Sequence, residues 1–402
     1  MRSIKARFFV NTLIAVILFS GCGGGGGDSS STPGTGTLSL SLTDASTTEY
    51  RAVYVTVDKV LVHKDGTSSG NSGWFTVAEP GQTYNLIKLV NGLTAILGES
   101  ELEADQYKQI RLIIGREPES ATNILGVPHP HANYVILNDG ADTVKALKIP
   151  SGFRSGLKLV HRFQVPAGTV VELVLDFDAC RSVVRTGSGR YRLKPRIKVI
   201  DVKDKSIVYG VVTNSGTELP VTGALVSAQL SEGLSASVVR STLTSDDPGE
   251  EGYFSMLLSP GQEYQIVTYA DQKVGSESSE AMYMPACGWI TVPDHGPAKV
   301  HVSLAQTGFG TISGDVSLHG AIDPENPPVV HIQFYRMLDC GYVEITSLSI
   351  SPDAGMQTLA FSVDLPLGTY DVVASSDGLT PGTVPSVELS GSGDDVHVEL
   401  SL

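Results

Sequence analysis

The chain has 402 residues, of which 41% are hydrophobic, and this allows two or three compact domains. Its net charge of −15 is unevenly spread: residues 36–205 carry 21 Lys and Arg against 18 Asp and Glu, whereas residues 206–402 carry 4 against 24. So acidic a second half argues against a nucleic-acid partner, because phosphate binding needs dense Lys and Arg. The simplest interpretation of the acidity is solubility.

The chain begins with the pattern of an export signal. Arg2, Lys5 and Arg7 are followed by an apolar stretch at 8–19, which is shorter than the roughly 20 residues that span a bilayer. The small pair Ser20-Gly21 then precedes Cys22. We expect residues 1–21 to be removed.

The residues before Cys22 resemble the lipobox of bacterial lipoproteins, although Phe19 stands where leucine is commonest. The resemblance implies acylation of Cys22, and buried acyl chains contribute about 0.8 kcal/mol per CH₂ to membrane anchoring. Residues 22–36, rich in Gly and Ser, form a flexible tether. Because residue 23 is glycine rather than aspartate, the resemblance favours an outer membrane lipoprotein facing the periplasm or the cell surface.

After the tether, short apolar segments alternate with turn signals, which predicts an all-β fold of several sandwiches. The polar and apolar residues of Thr37–Thr43 alternate strictly, as a half-buried strand requires. Residues 86–97 are the one plausible short helix, closed by Gly98. Further strands are predicted at 52–63, 74–77, 107–114, 134–137, 144–149, 157–163, 170–177 and 191–202.

A short sequence pattern recurs along the chain. In it an apolar residue is followed by a turn, and the turn is followed by an aromatic residue or valine that opens a strand. Sandwich domains close their corners in this way, and a tyrosine hydroxyl there can bond nearby backbone. The repetition predicts at least three sandwich domains, at residues 37–203, 206–305 and 309–402. The pattern occurs at 102–107, 165–170, 258–264 and 365–370.

In the first of these domains a resemblance to a known family is carried by short segments spread along its whole length. The segments are 40–45, 53–57, 84–86, 89–92, 109–112, 148–152, 155–158, 175–179, 193–195 and 197–199. Through them the domain resembles the bacterial lipoprotein family known as domain of unknown function 4382, and the resemblance implies no known activity. It departs from the family at Cys180, where serine is expected.

The second domain resembles the carboxypeptidase regulatory-like, transthyretin-like β-sandwich, through residues 210–212, 220–226, 252–254 and 258–264. The third domain resembles the same family more weakly, through residues 312–316 and 365–370. This resemblance implies a structural or carbohydrate-binding accessory role. It implies no peptidase activity, since the sequence contains no zinc peptidase motif.

Two imidazoles, His129 and His131, and two carboxylates, Asp176 and Asp178, are weak candidates for a metal site. The two aspartates are two residues apart and therefore share a strand face. A salt-bridged strand end beside Arg181 is the simpler interpretation.

Basic and apolar residues alternate along 190–199, which predicts one strand with a basic face and a core face. We call the basic residues the basic stripe: Arg190, Arg192, Lys194, Arg196 and Lys198. A solvated face is the default interpretation. The alternative is an anionic partner, either lipid head groups, an acidic glycan or the acidic half of the protein itself.

Cys287-Gly288-Trp289 and Cys340-Gly341-Tyr342 look alike. The two cysteines either form a disulfide between the second and third domains or are buried as apolar residues. Trp74 and Trp289 could stack on sugars, although core packing is the first expectation for each.

No segment predicts a catalytic site, so we expect no enzyme and no cofactor. The sequence favours a non-catalytic envelope lipoprotein that binds or adheres to a carbohydrate or another surface polymer. The alternative is a structural or envelope-assembly component with protein partners and no small ligand.

Overall fold

The computed structural model describes residues 34–45, 49–67, 73–89, 94–149, 152–232, 235–271, 281–320, 322–323 and 327–402. The predicted signal peptide, the tether up to residue 33 and Cys22 lie outside the described residues. Residues 34–402 form one compact unit. The fold is all-β, as predicted, but the boundaries between domains stay a prediction.

We use the name first module for residues 35–201, which hold thirteen strands around a large apolar core, with a smaller apolar cluster around Tyr54 and Tyr134. A four-stranded sheet has the order β13-β10-β1-β5, and a second sheet contains β8-β7-β2-β6-β9, with β3 and β4 on β2. The strands are β1 (Thr35–Ala45), β2 (Tyr50–Lys64), β3 (Trp74–Ala78), β4 (Gln82–Asn85), β5 (Ala95–Glu103), β6 (Asp105–Ile114), β7 (Tyr134–Leu137), β8 (Val144–Lys148), β9 (Leu157–Val165), β10 (Val170–Asp178), β11 (Val183–Thr186), β12 (Tyr191–Leu193) and β13 (Ile197–Asp201). Between them lie the 3-10 turn Leu86–Lys88 and the short helix α1 (Ala179–Ser182), and the 3-10 turn Val202–Asp204 follows β13.

The second module, residues 206–307, is a sandwich of a three-stranded sheet, β17-β14-β21, and a four-stranded sheet, β16-β15-β18-β20. Its central strand β14 pairs antiparallel with β17 and parallel with β21. The strands are β14 (Ser206–Asn214), β15 (Leu225–Glu232), β16 (Ser235–Leu243), β17 (Tyr253–Leu258), β18 (Glu263–Tyr269), β19 (Met282–Tyr283), β20 (Ala286–Thr291), β21 (Ala298–Leu304) and β22 (Gln306–Thr307).

The third module, residues 309–402, repeats the topology of the second. A three-stranded sheet, β26-β23-β29, faces strands in the order β25-β24-β27-β28, and β23 has one antiparallel and one parallel partner. The strands are β23 (Phe309–Ser317), β24 (Val330–Leu338), β25 (Gly341–Ser351), β26 (Thr358–Pro366), β27 (Gly368–Ser375), β28 (Gly382–Leu389) and β29 (Asp395–Ser401).

The repeat extends to a packing detail at the two central strands. Gly210 lies opposite Phe254 and Gly314 lies opposite Phe361 in the strand register. A Cβ added to either glycine would come within 2.8 Å of its phenylalanine ring and still closer to a backbone oxygen. Glycine is therefore needed at both positions, since the ring occupies the space of a side chain.

The predicted tyrosine corners are confirmed in all three modules. In each, a buried tyrosine near the start of a strand forms a hydrogen bond to backbone four or five residues earlier. These bonds join the hydroxyls of Tyr107, Tyr264 and Tyr370 to Glu103 O (3.1 Å), Ser259 N (3.3 Å) and Pro366 O (2.7 Å).

The helix predicted for residues 86–97 is wrong. Among the described residues of this segment, Leu86–Lys88 form a 3-10 turn, and β5 has already begun at Ala95, paired with β1. Leu86 and Leu97 enter the same core from separate elements, while Ile96 between core positions is 65% exposed. Pairing with β1 outweighs the weak helical preference of so short a segment.

The third module is joined to both of the others. Its β25 pairs in parallel with β11, so that sheets of the first and third modules run together as thirteen strands. Against the second module, the Gln229 amide exchanges two hydrogen bonds with the backbone of Glu344, at 2.6 and 2.9 Å. The Gln265 amide donates to Cys340 O at 2.6 Å. Buried amides that bond backbone in this way hold β25 in one register across the second module.

Candidate binding clefts at the module junctions

The basic stripe is divided between two strands, contrary to the prediction of one strand. Arg192 lies in β12 and Lys198 in β13. Residues 194–196 between them belong to neither strand and have no partner in the register of either. Pro195 has no N–H to offer a ladder. The flanking N–H groups of Lys194 and Arg196 instead donate to Ser182 O and Oγ, both at 2.8 Å.

Four of the five stripe side chains contact residues of the acidic second half. Arg192 is half-buried, and the other four reach carboxylate or carbonyl oxygens across a module junction. The stripe therefore faces the protein's own acidic half, which is one of the three anionic partners that the sequence allows. The contacts are Arg190 with Asp353 (3.0 Å), Lys194 with Pro327 O (2.6 Å), Arg196 with Asp377 (3.5 Å) and Lys198 with Val239 O (3.0 Å).

One end of the stripe leads into a cleft of about 590 Å³ between the first and second modules, which we call the junction cleft. Strands β9 and β13 form one wall, and β16 and β17 form the other. Asp176 and Lys198 are register partners on β10 and β13, and both line the cleft. The structure thus brings together two candidates that the sequence had assigned to different kinds of site.

The most buried charges of the junction cleft are Asp176 and Arg240, whose side chains are 5% and 8% exposed. Arg240 Nη2 lies 3.4 Å from Asp176 Oδ1, and that oxygen makes no hydrogen bond within the described part of the chain. Arg240 is the residue that sequence reasoning missed. The signal was an isolated arginine in the otherwise uncharged segment 235–243, in a half with only four Lys and Arg.

Further polar groups line the same cleft beside an apolar wall. Lys205 Nζ donates to Ser259 Oγ at 2.8 Å. Burial lowers the pKa of His161, although the charge of Asp201 acts in the opposite direction, so the imidazole is neutral at pH 7. The apolar wall contains Leu159, Val160, Ile197, Val199, Leu257 and Leu258. Such a mixture suits a polar organic ligand that has hydroxyl groups, an acidic group and an apolar face.

A second cleft, of about 430 Å³, lies between the first and third modules, and we call it the basic cleft. Arg181, Lys194 and Arg196 line it. Burial, followed by the charges of Arg192 and Arg196, lowers the pKa of Lys194.

The two histidines proposed as metal ligands lie in the segment before β7 and belong to an aromatic cluster. His129 is buried, with Nδ1 2.8 Å from the Tyr134 hydroxyl and its ring 4.8 Å from that of Tyr54. Burial lowers its pKa. His131 lies edge-on to Tyr134 at 6.3 Å.

The two aspartates proposed with them lie on β10, in the other sheet of the first module. Asp176 pairs with Arg240, and Asp178 Oδ1 caps α1 by accepting from Arg181 N at 2.9 Å. Burial raises the pKa of Asp178, opposed by the charge of Arg181. Throughout the described ranges, no group of three or more His, Cys, Asp or Glu side chains could hold a metal ion.

Cys287 and Cys340 form a disulfide, which confirms the first of the two alternatives. It joins β20 of the second module to the turn between β24 and β25 of the third. Structural disulfides form in oxidising compartments, so the protein is extracytoplasmic. Within the described residues, no helix is both long and apolar enough to cross a membrane.

The two tryptophans differ in their surroundings. Trp74 packs edge-on against His63 at 4.7 Å, and the Arg111 guanidinium lies 3.9 Å above its ring. Trp289 is 50% exposed on the edge strand β20, so the expectation of core packing is wrong there. An edge strand leaves room for an outward ring that an inner strand would cover.

Three solved structures that resemble the chain are distant from it in sequence and have low TM-scores. The chain aligns with the Bacillus anthracis TIE protein at 13% identity and TM-score 0.19, covering 91% of this chain and 51% of that one. A streptococcal ancillary pilin aligns at 11% identity and TM-score 0.19, with 91% and 98% covered. The shaft pilin SpaA of Lactobacillus rhamnosus GG aligns at 12% and 0.19, with 49% and 97% covered. The all-β assignment rests on the strands of this chain itself.

No curated protein sequence matches the chain. The profile of a family described as "Domain of unknown function (DUF4382)" matches residues 35–195. This range coincides with the strands of the first module up to β12. Residues 35–195 therefore form a DUF4382 domain.

Proposed function

We propose that this protein is a lipid-anchored, non-catalytic binding module of the outer membrane, which holds an acidic glycan or a similar surface polymer in the junction cleft. The observation that supports this proposal most directly is the buried pair of Asp176 and Arg240 at the cleft wall. A buried carboxylate oxygen without a hydrogen bond is unfavourable, and a ligand hydroxyl would satisfy it. The Arg240 guanidinium and the Lys198 ammonium would receive the acidic group of the ligand.

The cleft also suits a sugar ring, since apolar side chains form much of its wall beside these polar groups. The two modules that flank the cleft are both joined to the third module. The first is joined to it by the pairing of β11 with β25, and the second by the disulfide. A site held open by a rigid frame loses little entropy when it binds. This arrangement supports the binding of a ligand in the junction cleft.

A thermal-shift panel tests the proposal. The soluble chain from residue 23 onward is heated with acidic oligosaccharides, neutral oligosaccharides, calcium and zinc. An acidic glycan at 100 times its Kd stabilises the native state by about 2.7 kcal/mol, a rise in Tm of about 3 °C for a chain of this size. Equal responses to neutral and acidic sugars, or no response to either, would contradict it.

The anchor has a separate test, because Cys22 lies outside the described residues. Cys22→Ala should leave an unacylated precursor that retains residues 1–21, measured by intact mass after expression in a Gram-negative host. Cys180→Ala serves as the control and should mature normally. A Cys22→Ala protein of wild-type mature mass would refute the anchor.

The second candidate function is a structural or envelope-assembly component. It is favoured by the use of the basic stripe within the molecule, since four of its five side chains contact the acidic half. A panel without any ligand response, together with specific crosslinks to envelope proteins, would support this function.

A further inference from the structure

The basic cleft gathers cations from the first module against the third module. Lys194 and Arg196 come from the segment between β12 and β13, and Arg181 comes from α1. The opposite wall comes from the third module and includes His319, Pro327 and Ser376. Donors from two modules therefore converge on one cavity.

The cations keep hydrogen-bonding capacity toward this cavity. Lys194 Nζ has three N–H groups and donates one hydrogen bond, to Pro327 O at 2.6 Å. The Arg196 guanidinium meets Asp377 at 3.5 Å and His331 at 3.4 Å, both at the outer limit for hydrogen bonds. Its side chain is 48% exposed.

The acids that line the basic cleft are more exposed than its cations Arg181 and Lys194. Asp377 is 96% exposed, and Asp323 is also exposed. Glu344 is buried behind Arg181, 3.5 Å from its guanidinium. Burial and the charges of Arg196 and Arg181 lower the pKa of His331, which lies beside Arg196, to about 4, so this imidazole is neutral at pH 7.

We propose that the basic cleft binds a phosphate-type oxyanion, held between the Lys194 ammonium and the Arg196 guanidinium. A planar guanidinium and a point-charge ammonium are the two side chains that best receive such oxyanions. The incoming anion replaces the long contact between Arg196 and Asp377, whose exposed carboxylate turns into solvent. The site is separate from the junction cleft and does not depend on the proposed glycan function.

The test measures binding of inorganic tripolyphosphate to the soluble chain from residue 23 by calorimetric titration. Arg196→Gln removes the guanidinium and should weaken binding at least tenfold, as expected for one charge-assisted hydrogen bond. Asp377→Asn removes the competing carboxylate and should strengthen binding severalfold. Lys145→Gln, an exposed cation on β8 outside the cleft, should leave the affinity unchanged.

If Arg196→Gln fails to fold, as judged by its thermal transition, Lys194→Met takes its place with the same expectation. A parallel arm uses vesicles of phosphatidylglycerol and phosphatidylcholine to separate the sources of the phosphate group. Binding of tripolyphosphate that depends on Arg196 supports a free polyanion, and dependence seen only with vesicles supports a lipid head group. The proposal is overturned if neither probe binds, if Arg196→Gln and Lys145→Gln behave alike, or if Asp377→Asn weakens binding.

Discussion

Replacement of both Cys287 and Cys340 by serine should lower the free energy of unfolding by about 4 kcal/mol. The disulfide closes a loop between residues 53 apart in sequence. A crosslink over such a loop stabilises mainly by reducing the conformational entropy of the unfolded chain. It also joins the second module to the third, so its loss should affect both modules together.

Urea unfolding monitored by circular dichroism measures this loss. Wild-type protein treated with dithiothreitol should lose the same amount, while the double serine variant should not respond to the reductant. A double variant within 1 kcal/mol of the oxidised wild type would mean that the crosslink contributes little.

The second large effect is expected at the buried pair in the junction cleft. Asp176→Leu leaves the Arg240 guanidinium buried without its partner and should destabilise the protein by about 3–5 kcal/mol. The double variant Asp176→Leu/Arg240→Met replaces both charges with apolar groups. Because no unpaired charge then remains, it should recover most of the lost stability.

Denaturant unfolding of the single and double variants provides the measurement. An exposed pair, Lys59 and Glu79, lies 2.7 Å apart with side chains 39% and 61% exposed. Lys59→Met is the matched control and should change stability by no more than about 1 kcal/mol. If the double variant is as unstable as Asp176→Leu, the two charges do not act as a pair.

Local features of this fold could be predicted from the sequence. The alternation at 37–43 predicts a strand, and the recurring sequence pattern predicts a tyrosine corner. Each depends on a few neighbouring residues, and both structures appear as predicted. The helix at 86–97 was wrong because pairing with β1, a strand some fifty residues earlier, determines the conformation of Ala95–Leu97.

The candidate site depended on contacts that no local pattern contains. The basic stripe was visible as a pattern, but the alternation at 190–199 says nothing about the third module that Lys194 and Arg196 contact. Arg240 lies more than sixty residues from Asp176 in sequence, and only the packing of the second module against the first brings them together. The two similar segments around Cys287 and Cys340 allowed either a disulfide or two buried free cysteines. The disulfide forms because the second and third modules meet at these two residues.

The most direct test of the binding function is a calorimetric titration of one acidic oligosaccharide into two proteins, the wild type and Asp176→Leu/Arg240→Met. The double variant is expected to fold while lacking the polar groups that we assign to the ligand. We expect binding by the wild type and an affinity at least tenfold lower in the double variant, corresponding to at least 1.4 kcal/mol. Equal affinities, or a wild type that binds no acidic glycan, would contradict the assignment of the junction cleft as the binding site.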